Sequence, residues 1–293
     1  MKATGADLHH RAEVLAAPLP PLMVAAKRVA STVAQGVHGR RRVGQGETFW
    51  QFRRYQQGDS APRIDWRQSA KSIHLYIRET EWEAAQSVWL WRDASASMDY
   101  ASAPAISPKR RRAELLLLAL GVLLVRGGER IAVLGSGLRP SSGRAVLTRI
   151  AHMLDDGEPA TASLPSLEAL PRHARVVMIG DFLSPIDEIR SAIAAFDALG
   201  VRGHMVQVLD PAEETLPFAG RVRFIGPEAE GFALLGRAET ATADYARAMA
   251  AHQAEIGLLA RSAGWSFIRH RTDRPPETAL LALYLGLAEP VPG

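Results

Sequence analysis

The chain has 293 residues, 47% hydrophobic and 23% charged, which is long enough for a sizeable core and ordinary for a soluble globular protein. It contains no cysteine, which excludes disulfides, thiolate catalysis, zinc knuckles and cysteine-ligated iron–sulfur clusters. The formal charge is only +4, yet nine basic residues stand against four acidic ones between Gly36 and Glu79, an excess that suits an acidic partner, nucleic acid or a solvated arginine-rich face.

The N-terminal stretch "MKATGADLHHRAEVLAAPLPPLMVAA" interrupts its apolar residues with His9, His10, Arg11, Glu13 and prolines. It lacks the continuous apolar segment of a secretory signal, so a cytoplasmic location is expected. Leu22, Ala25, Ala26, Val29, Ala30 and Val33 recur at helical spacing between Pro20 and Gln35, and Gly36 and Gly39 end that helix. Residues 1–35 thus read as a helical extension. The following segment, 36–83, is dense in glycine, arginine and tryptophan until Ile73, Leu75 and Ile77 alternate with polar neighbours as a strand does.

From Ser87 onward strands and helices alternate. "SVWLWRD" and "RVVMIG" are apolar on both faces, as parallel strands covered on each side are. Between them the pattern predicts a helix over Lys109–Arg126, a strand at Arg130–Gly135 and a helix over Arg144–Leu154. Further on it predicts a helix over Pro185–Leu199, a strand at His204–Leu209, a helix over Tyr245–Ala263, a strand at Ser266–His270 and a last helix through "ETALLALYLGL". The longest apolar run, Leu115 to Val125, is far short of the roughly 20 residues of a membrane span and reads as a buried helix. Alternation of this kind specifies an α/β, doubly wound, mostly parallel sheet over 84–293, because each parallel crossover needs its own helix. Pro217 to Ala238 reads as a hairpin on the edge of that sheet. No glycine-rich phosphate loop follows any strand.

Ligands of open parallel sheets gather beyond the carboxyl ends of the strands, and two carboxylates fall there. Asp93 follows "VWLWR" and Asp181 follows "RVVMIG". Alternation beyond Asp93 sets Ser95 and Ser97 on the side of its carboxylate. Two hydroxyls with one or two carboxylates suit Mg²⁺, which takes few charged oxygens and keeps an open or watered position. Mn²⁺ or Ca²⁺ are the substitutes for it.

The D-x-S-x-S run with a later strand-end aspartate resembles von Willebrand factor A domains and their metal-ion-dependent adhesion site. Asp93, Ser95 and Ser97 match its first segment and Asp181 in "IGDF" its last. Those domains usually add a threonine; the loop "RPSSGRAVL" offers Ser141 or Ser142 in its place, while Thr148 falls within the next helix. Upstream, "ETFWQFRRYQQGDSAPRIDWRQSAKSIHLYIRETE" is similar to the signature of an uncharacterised bacterial family with a von Willebrand A-like domain, commonly encoded beside MoxR-type AAA+ ATPases. Glu47, Arg54, Tyr55, Gly58, Asp59, Arg63, Ile64, Asp65, Trp66, Ser69 and Ala70 carry that match.

The resemblance implies a non-enzymatic interaction module whose partner, a MoxR-type ATPase or its client, supplies an acidic side chain to the metal. On the residues alone, the signature segment has its own logic. Gly58 and Asp59 favour a tight turn, and Arg54, Arg63 and Arg67 stand close to Asp59 and Asp65 for ion pairing. Five tryptophans between Trp50 and Trp91 are candidates to clamp the segment onto the first strand. Aspartyl-phosphate chemistry needs D-x-D and a nearby lysine, and the lysines are only Lys2, Lys27, Lys71 and Lys109. Metal-dependent phosphohydrolysis or nuclease action lacks an evident general base. The arginine-rich stretch has little of the exposed aromatic interleaving that single-strand binding uses, which argues against nucleic acid. His252 and His270 have no metal-ligand spacing, and Ser184 before Pro185 reads as a helix N-cap.

Overall fold

The computed structural model describes residues 29–30, 33, 43–44, 48–56, 64–81, 87–155, 162–172, 174–227 and 231–288. The chain divides into two compact units, one formed by Met1–Gln35 with Ser87–Gly293 and the other by Gly36–Gln86. Of the expected N-terminal helix, Val29, Ala30 and Val33 are helical and buried, and the rest lies outside the described residues.

The smaller unit is a three-stranded antiparallel sheet of β1 (Val43–Gly44), β2 (Thr48–Arg54) and β3 (Tyr76–Glu81), in the order β1-β3-β2, with one short helix, α1 (Trp66–Ser69). The signature residues do structural work in it. Asp65 caps α1, its Oδ1 accepting from Gln68 N at 2.8 Å, and its own N–H donates to Tyr76 O. Ser69 Oγ accepts from Tyr76 N at 2.8 Å, Ile64 bridges Ile77, and Tyr55 N donates to Leu75 O. The D-W-x-x-S run therefore seats a helical turn on β3. Trp66, the first residue of α1, is 65% exposed. Gly58, Asp59 and Arg63 lie outside the described residues, as does Trp82.

The larger unit is built on five parallel strands. These are β4 (Ser87–Arg92), β5 (Arg130–Val133), β6 (Arg175–Gly180), β7 (Arg202–Leu209) and β10 (Ser266–Arg271), in the order β10-β7-β6-β4-β5. All six residues of β6 are buried, which is what the continuous apolar run demands of a central strand. Helices α2 (Lys109–Arg126), α3 (Arg144–Asp155) and α7 (Pro276–Ala288) cover one face. The other is covered by α4 (Ile186–Ala198) and α6 (Thr242–Ser262), and a short α5 (Pro211–Thr215) follows β7. Leu116 to Leu120 of α2 are buried, as the apolar run required, and no helix among the described residues is long and apolar enough to cross a membrane.

The core between the sheet and α4 and α6 holds Trp89, Val176, Met178, Phe196, Met205, Ile256 and Trp265. Glycine is required at position 203, where a Cβ would lie 1.9 Å from the Trp265 ring. The expected edge hairpin differs from expectation. Among the described residues β8 (Val222–Ile225) and β9 (Phe232–Leu235) pair only with each other, as a separate two-stranded sheet. The edge beside β7 is taken by β10, which arrives through the α6 crossover.

Candidate functional site at the carboxyl ends of β4 and β6

From β4 the chain crosses to β5 on one side and then returns to β6 on the other, so the topological switch point lies between β4 and β6. Their register, with Arg92 beside Ile179, carries Asp93 and Asp181 to the same end, and Asp93 N donates to Ile179 O at 2.8 Å. Asp93 and Ser95 are fully buried and Asp181 nearly so. Asp93 Oδ1 accepts from Ser95 N at 2.8 Å, an Asx turn that directs the chain into the 3-10 turn Ala96–Asp99. Ser95 Oγ and Ser97 Oγ then stand 3.1 Å apart, and Ser97 Oγ donates to Asp181 Oδ2 at 2.8 Å. The four residues singled out by the D-x-S-x-S pattern and the later aspartate are thus brought together.

A cation that the sequence pattern did not reveal completes the cluster. Lys109, the first residue of α2, is fully buried, with its Nζ 2.8 Å from Asp181 Oδ2 and 2.5 Å from Glu213 Oε1 of α5. Burial alone would lower the lysine, but Asp181 and Glu213 outweigh it and hold the ammonium above the ordinary lysine value. Burial raises the Glu213 carboxyl, and Lys109 only partly opposes it. Glu213 is placed by a capping box with Asp210, whose Oδ1 accepts from Ala212 N and whose N–H donates to Glu213 Oε2. Asp210 is a third strand-end carboxylate, after β7, and its Oδ2 accepts from Ser102 N in the segment between β4 and α2. The sequence held two signals for this half of the site: an aspartate directly after "HMVQVL", and a lone lysine where an arginine-biased chain would be expected to use arginine. The lysine that aspartyl-phosphate chemistry needs is present, but it is committed to Asp181 and Glu213.

Two further elements fix the geometry. Phe182 adopts φ 49°, a left-handed conformation costly for a bulky residue, which returns Leu183 N to Asp181 Oδ1 at 3.2 Å. His252 Nε2 donates to Phe182 O at 2.7 Å and holds that turn. On the other flank, Arg110 forms a two-point pair with Asp99, at 2.5 and 2.7 Å, and reaches Ser95 O.

Ser141 and Ser142 are not part of the cluster. After β5 the chain turns back, and Ser141 pairs antiparallel with Ile131, which is in register with Val88 at the opposite end of β4 from Asp93. Ser142 follows it away from the strand ends. The segment that does return beyond α3 carries Ser163, whose hydroxyl lies 2.7 Å from Ser184 Oγ in the turn after Asp181. Ser184 is consequently not a side-chain cap; Pro185 occupies the N-cap of α4.

The donor set can be tested against the ion that the resemblance implies. Adjacent oxygens in an octahedral Mg²⁺ shell lie about 3 Å apart, given bonds of about 2.0–2.1 Å, and the 3.1 Å between Ser95 Oγ and Ser97 Oγ agrees with this. Asp93 lies on the same turn, whereas Asp181 Oδ2 is engaged by Ser97 and Lys109 and would support the ion through Ser97. The spacing of the two hydroxyls thus suits neighbouring positions of a Mg²⁺ shell, and Lys109 neutralises the Asp181 carboxylate beside them.

Gly180 tests how tightly this arrangement is closed. A Cβ there would lie 2.9 Å from Asp93 Cβ and 3.3 Å from its Oδ2. Gly180→Ala is expected to push Asp93 away from Asp181 while leaving the fold in place. Circular dichroism should report an unchanged α/β spectrum, with any Mg²⁺ binding weakened by about tenfold or more.

Comparison with known proteins places the chain among uncharacterised relatives. Uncharacterised proteins of Mycobacterium bovis (strain ATCC BAA-935 / AF2122/97) and Mycobacterium tuberculosis (strain ATCC 25618 / H37Rv) are each 30% identical over 278 residues, covering 89% of this chain and 86% of theirs. Among solved structures, an aerotolerance-related membrane protein from Bacteroides fragilis NCTC 9343 matches at 15% identity and a TM-score of 0.41, over 70% of this chain and 99% of that one. The conserved hypothetical protein BatB from Bacteroides thetaiotaomicron matches at 15% identity and a TM-score of 0.41, over 70% of this chain and 98% of that one. Residues 51–255, which include the α1 turn, the β4–β6 cluster, Lys109 and Glu213, match the family described as protein of unknown function DUF58, and the chain belongs to that family.

Proposed function

We propose that the protein is a non-enzymatic interaction module that docks a partner at the carboxyl ends of β4 and β6. The observation that carries this reading is the convergence of Asp93, Ser95, Ser97 and Asp181 at the switch point, with two hydroxyls 3.1 Å apart. Asp93, Ser95 and Ser97 would hold a Mg²⁺-type ion, with Mn²⁺ or Ca²⁺ as substitutes. When bound, the ion supplies an open coordination position for an incoming carboxylate. The chain's own residues do the rest. Gly180 allows Asp93 and Asp181 to approach, Asp181 orients Ser97, and Lys109 keeps Asp181 and Glu213 from repelling each other.

By the resemblance of the signature segment, the partner is a cytoplasmic MoxR-type AAA+ ATPase or the client it remodels. The test is a pull-down and a binding isotherm against such an ATPase, with Mg²⁺ and with EDTA. Asp93→Ala, checked for folding by thermal melt, is expected to lose affinity by about a hundredfold, as EDTA does, since removing one partner of a buried charged contact costs about 2–5 kcal/mol. Affinity indifferent to both EDTA and Asp93→Ala would overturn the metal-bridged reading.

A further inference from the structure

The β8–β9 hairpin presents two faces of different character. Its register pairs Val222 with Leu235 and Phe224 with Ala233 on one face, and Arg223 with Leu234 and Ile225 with Phe232 on the other. The first face turns inward: Val222, Phe224 and Leu235 are half-buried, and the Phe224 ring packs edge-on against Phe218 at 5.6 Å. The second is open to solvent, with Ile225 69%, Phe232 64% and Leu234 49% exposed. Three large apolar side chains at adjoining positions of one sheet face differ from the scattered exposure that any surface shows.

The charge around this face is one-sided. The Arg223 guanidinium stands over the Phe232 ring, 4.2 Å from its centroid. Arg221 and Arg237 flank the base of the hairpin, where Ala238 N donates to Gly220 O. All three arginines are exposed, and none is in an ion pair with a described residue. Glu239, close to Arg237 in sequence, accepts instead from Gly220 N at 2.7 Å. Arginine with aromatic and aliphatic side chains is the composition of an interface centre.

The hairpin also stands at the docking end of the sheet. It lies between α5, at the carboxyl end of β7, and α6, which carries the chain back so that β10 runs parallel to β7. Glu213, which holds Lys109, precedes it, and Tyr245, whose hydroxyl donates to Glu213 O at 2.6 Å, follows it. A stable protein contact takes about 800 Å² from each side. The cluster cannot supply that area, because Asp93 and Ser95 are fully buried and Asp181 nearly so. A partner at this end needs an exposed apolar anchor as well.

We propose that the outer face of the hairpin is that anchor, and that its occupant is an amphipathic helix of the partner with an apolar stripe flanked by Asp or Glu. Two four-residue strands, at about 3.4 Å per residue and about 4.8 Å apart, give a face roughly 13 Å long and roughly 10 Å wide, the width of one helix. The stripe covers Ile225, Phe232 and Leu234, and the acidic flanks meet Arg221, Arg223 and Arg237. A second copy of this chain would bring the same three arginines to the contact. An anionic bilayer suits the arginines but not the sequence between the strands, which carries Glu228 and Glu230. The direction of approach rests on the docking function, whereas the contact itself needs no metal.

A stapled helical peptide of about 18 residues, with leucine along one face and glutamate along both flanks, tests this by fluorescence anisotropy against the full chain in EDTA, beside the same peptide with lysine for glutamate. The glutamate peptide is expected to bind with a Kd below about 100 μM in about 50 mM salt, at least about tenfold tighter than the lysine peptide, and to weaken as salt rises. Phe232→Ser and Arg223→Glu, both at exposed positions, should each weaken it by about tenfold or more at an unchanged melting temperature. Absence of binding, equal binding of the two peptides, or binding indifferent to both substitutions overturns the proposal. So does evidence for another occupant: dimerisation in analytical ultracentrifugation, or co-sedimentation with vesicles of phosphatidylcholine and phosphatidylglycerol, that Phe232→Ser abolishes. EDTA separates the two readings, since loss of the metal-bridged contact would not touch this binding, and absence of this binding would not touch the dependence of ATPase affinity on Asp93.

Discussion

Replacing Lys109 by methionine is expected to destabilise the protein by about 3–5 kcal/mol, the cost of breaking a buried ion pair by removing one partner. In a chain of this size that corresponds to a fall in melting temperature of roughly 10 °C. Methionine fills much of the same volume, so the loss is electrostatic and not a cavity effect. It leaves Asp181 and Glu213 buried without the ammonium that now lies 2.8 Å and 2.5 Å from them. The pH dependence separates this cause from simple misfolding. Burial holds the Glu213 carboxyl above its ordinary value even beside Lys109. Without the lysine it rises further, and a carboxyl with a raised folded value costs stability once pH exceeds its unfolded value. The deficit of Lys109→Met should therefore be largest at pH 7–8 and shrink toward pH 5, where protonation relieves the uncompensated charge. Thermal melts of both proteins across that range measure it; a constant deficit would mean that charge is not the cause.

Acid is expected to unfold the larger unit through two buried histidines. His270 Nε2 accepts from Arg112 Nη1 at 3.1 Å, so the ring is neutral and its protonation would set an imidazolium against a guanidinium. Burial and then Arg112 lower it to about 4, with Asp273 opposing. His204, whose Nδ1 lies 2.8 Å from Ser266 Oγ, is lowered to about 4 by burial, then by Arg175 and Arg202. For a base lowered on folding, the unfolded chain binds the proton more tightly. The stability is therefore whole above about pH 6.5, is lost as pH falls toward 4, and changes no further below that. At about 1.4 kcal/mol per unit, each histidine accounts for about 3 kcal/mol across that window. Burial of Glu114 and Glu213 raises their carboxyls, and these gain stability as pH falls, offsetting part of the loss. Urea melts at pH 7.5, 5.5 and 4.5 should show the decline, and His270→Gln, which keeps an acceptor for Arg112, should remove about half of it.

The parts of this architecture that were legible in the sequence are those set by local pattern. β4 and β6 announce themselves because a central parallel strand must be apolar on both faces, and the aspartate after each then marks a strand end. The Asx turn at Asp93 and the alternation to Ser97 are equally local. Ser141 misleads because its loop reads like any loop after a strand, whereas an antiparallel return to Ile131 sends it to the far end of the sheet. The β8–β9 hairpin is recognisable as a hairpin, but its position depends on where β10 inserts, which no pattern within the hairpin encodes. Lys109 is hidden for the same reason. Its partners lie 72 and 104 residues away, and "SPKRRR" reads as a solvated basic cluster until α5 and the turn after β6 are placed beside it.

That cluster bears on the order in which the chain folds. Lys109, Arg110, Arg111 and Arg112 open α2 with four positive charges and no acidic residue, at the end of a helix whose dipole already favours anions. In isolation this is a poor beginning for a helix. What stabilises it comes from much later in the chain: Asp181, Glu213, and the carbonyls of Thr272 and Arg274 that accept from Arg112 across separations of 160 and 162 residues. The first turn of α2 should therefore consolidate only after β10 has docked, late in folding, even though the apolar remainder of the helix can form early. A nascent chain still lacking β10 would expose its own basic turn, so completion of the fold and assembly of the β4–β6 cluster are a single event.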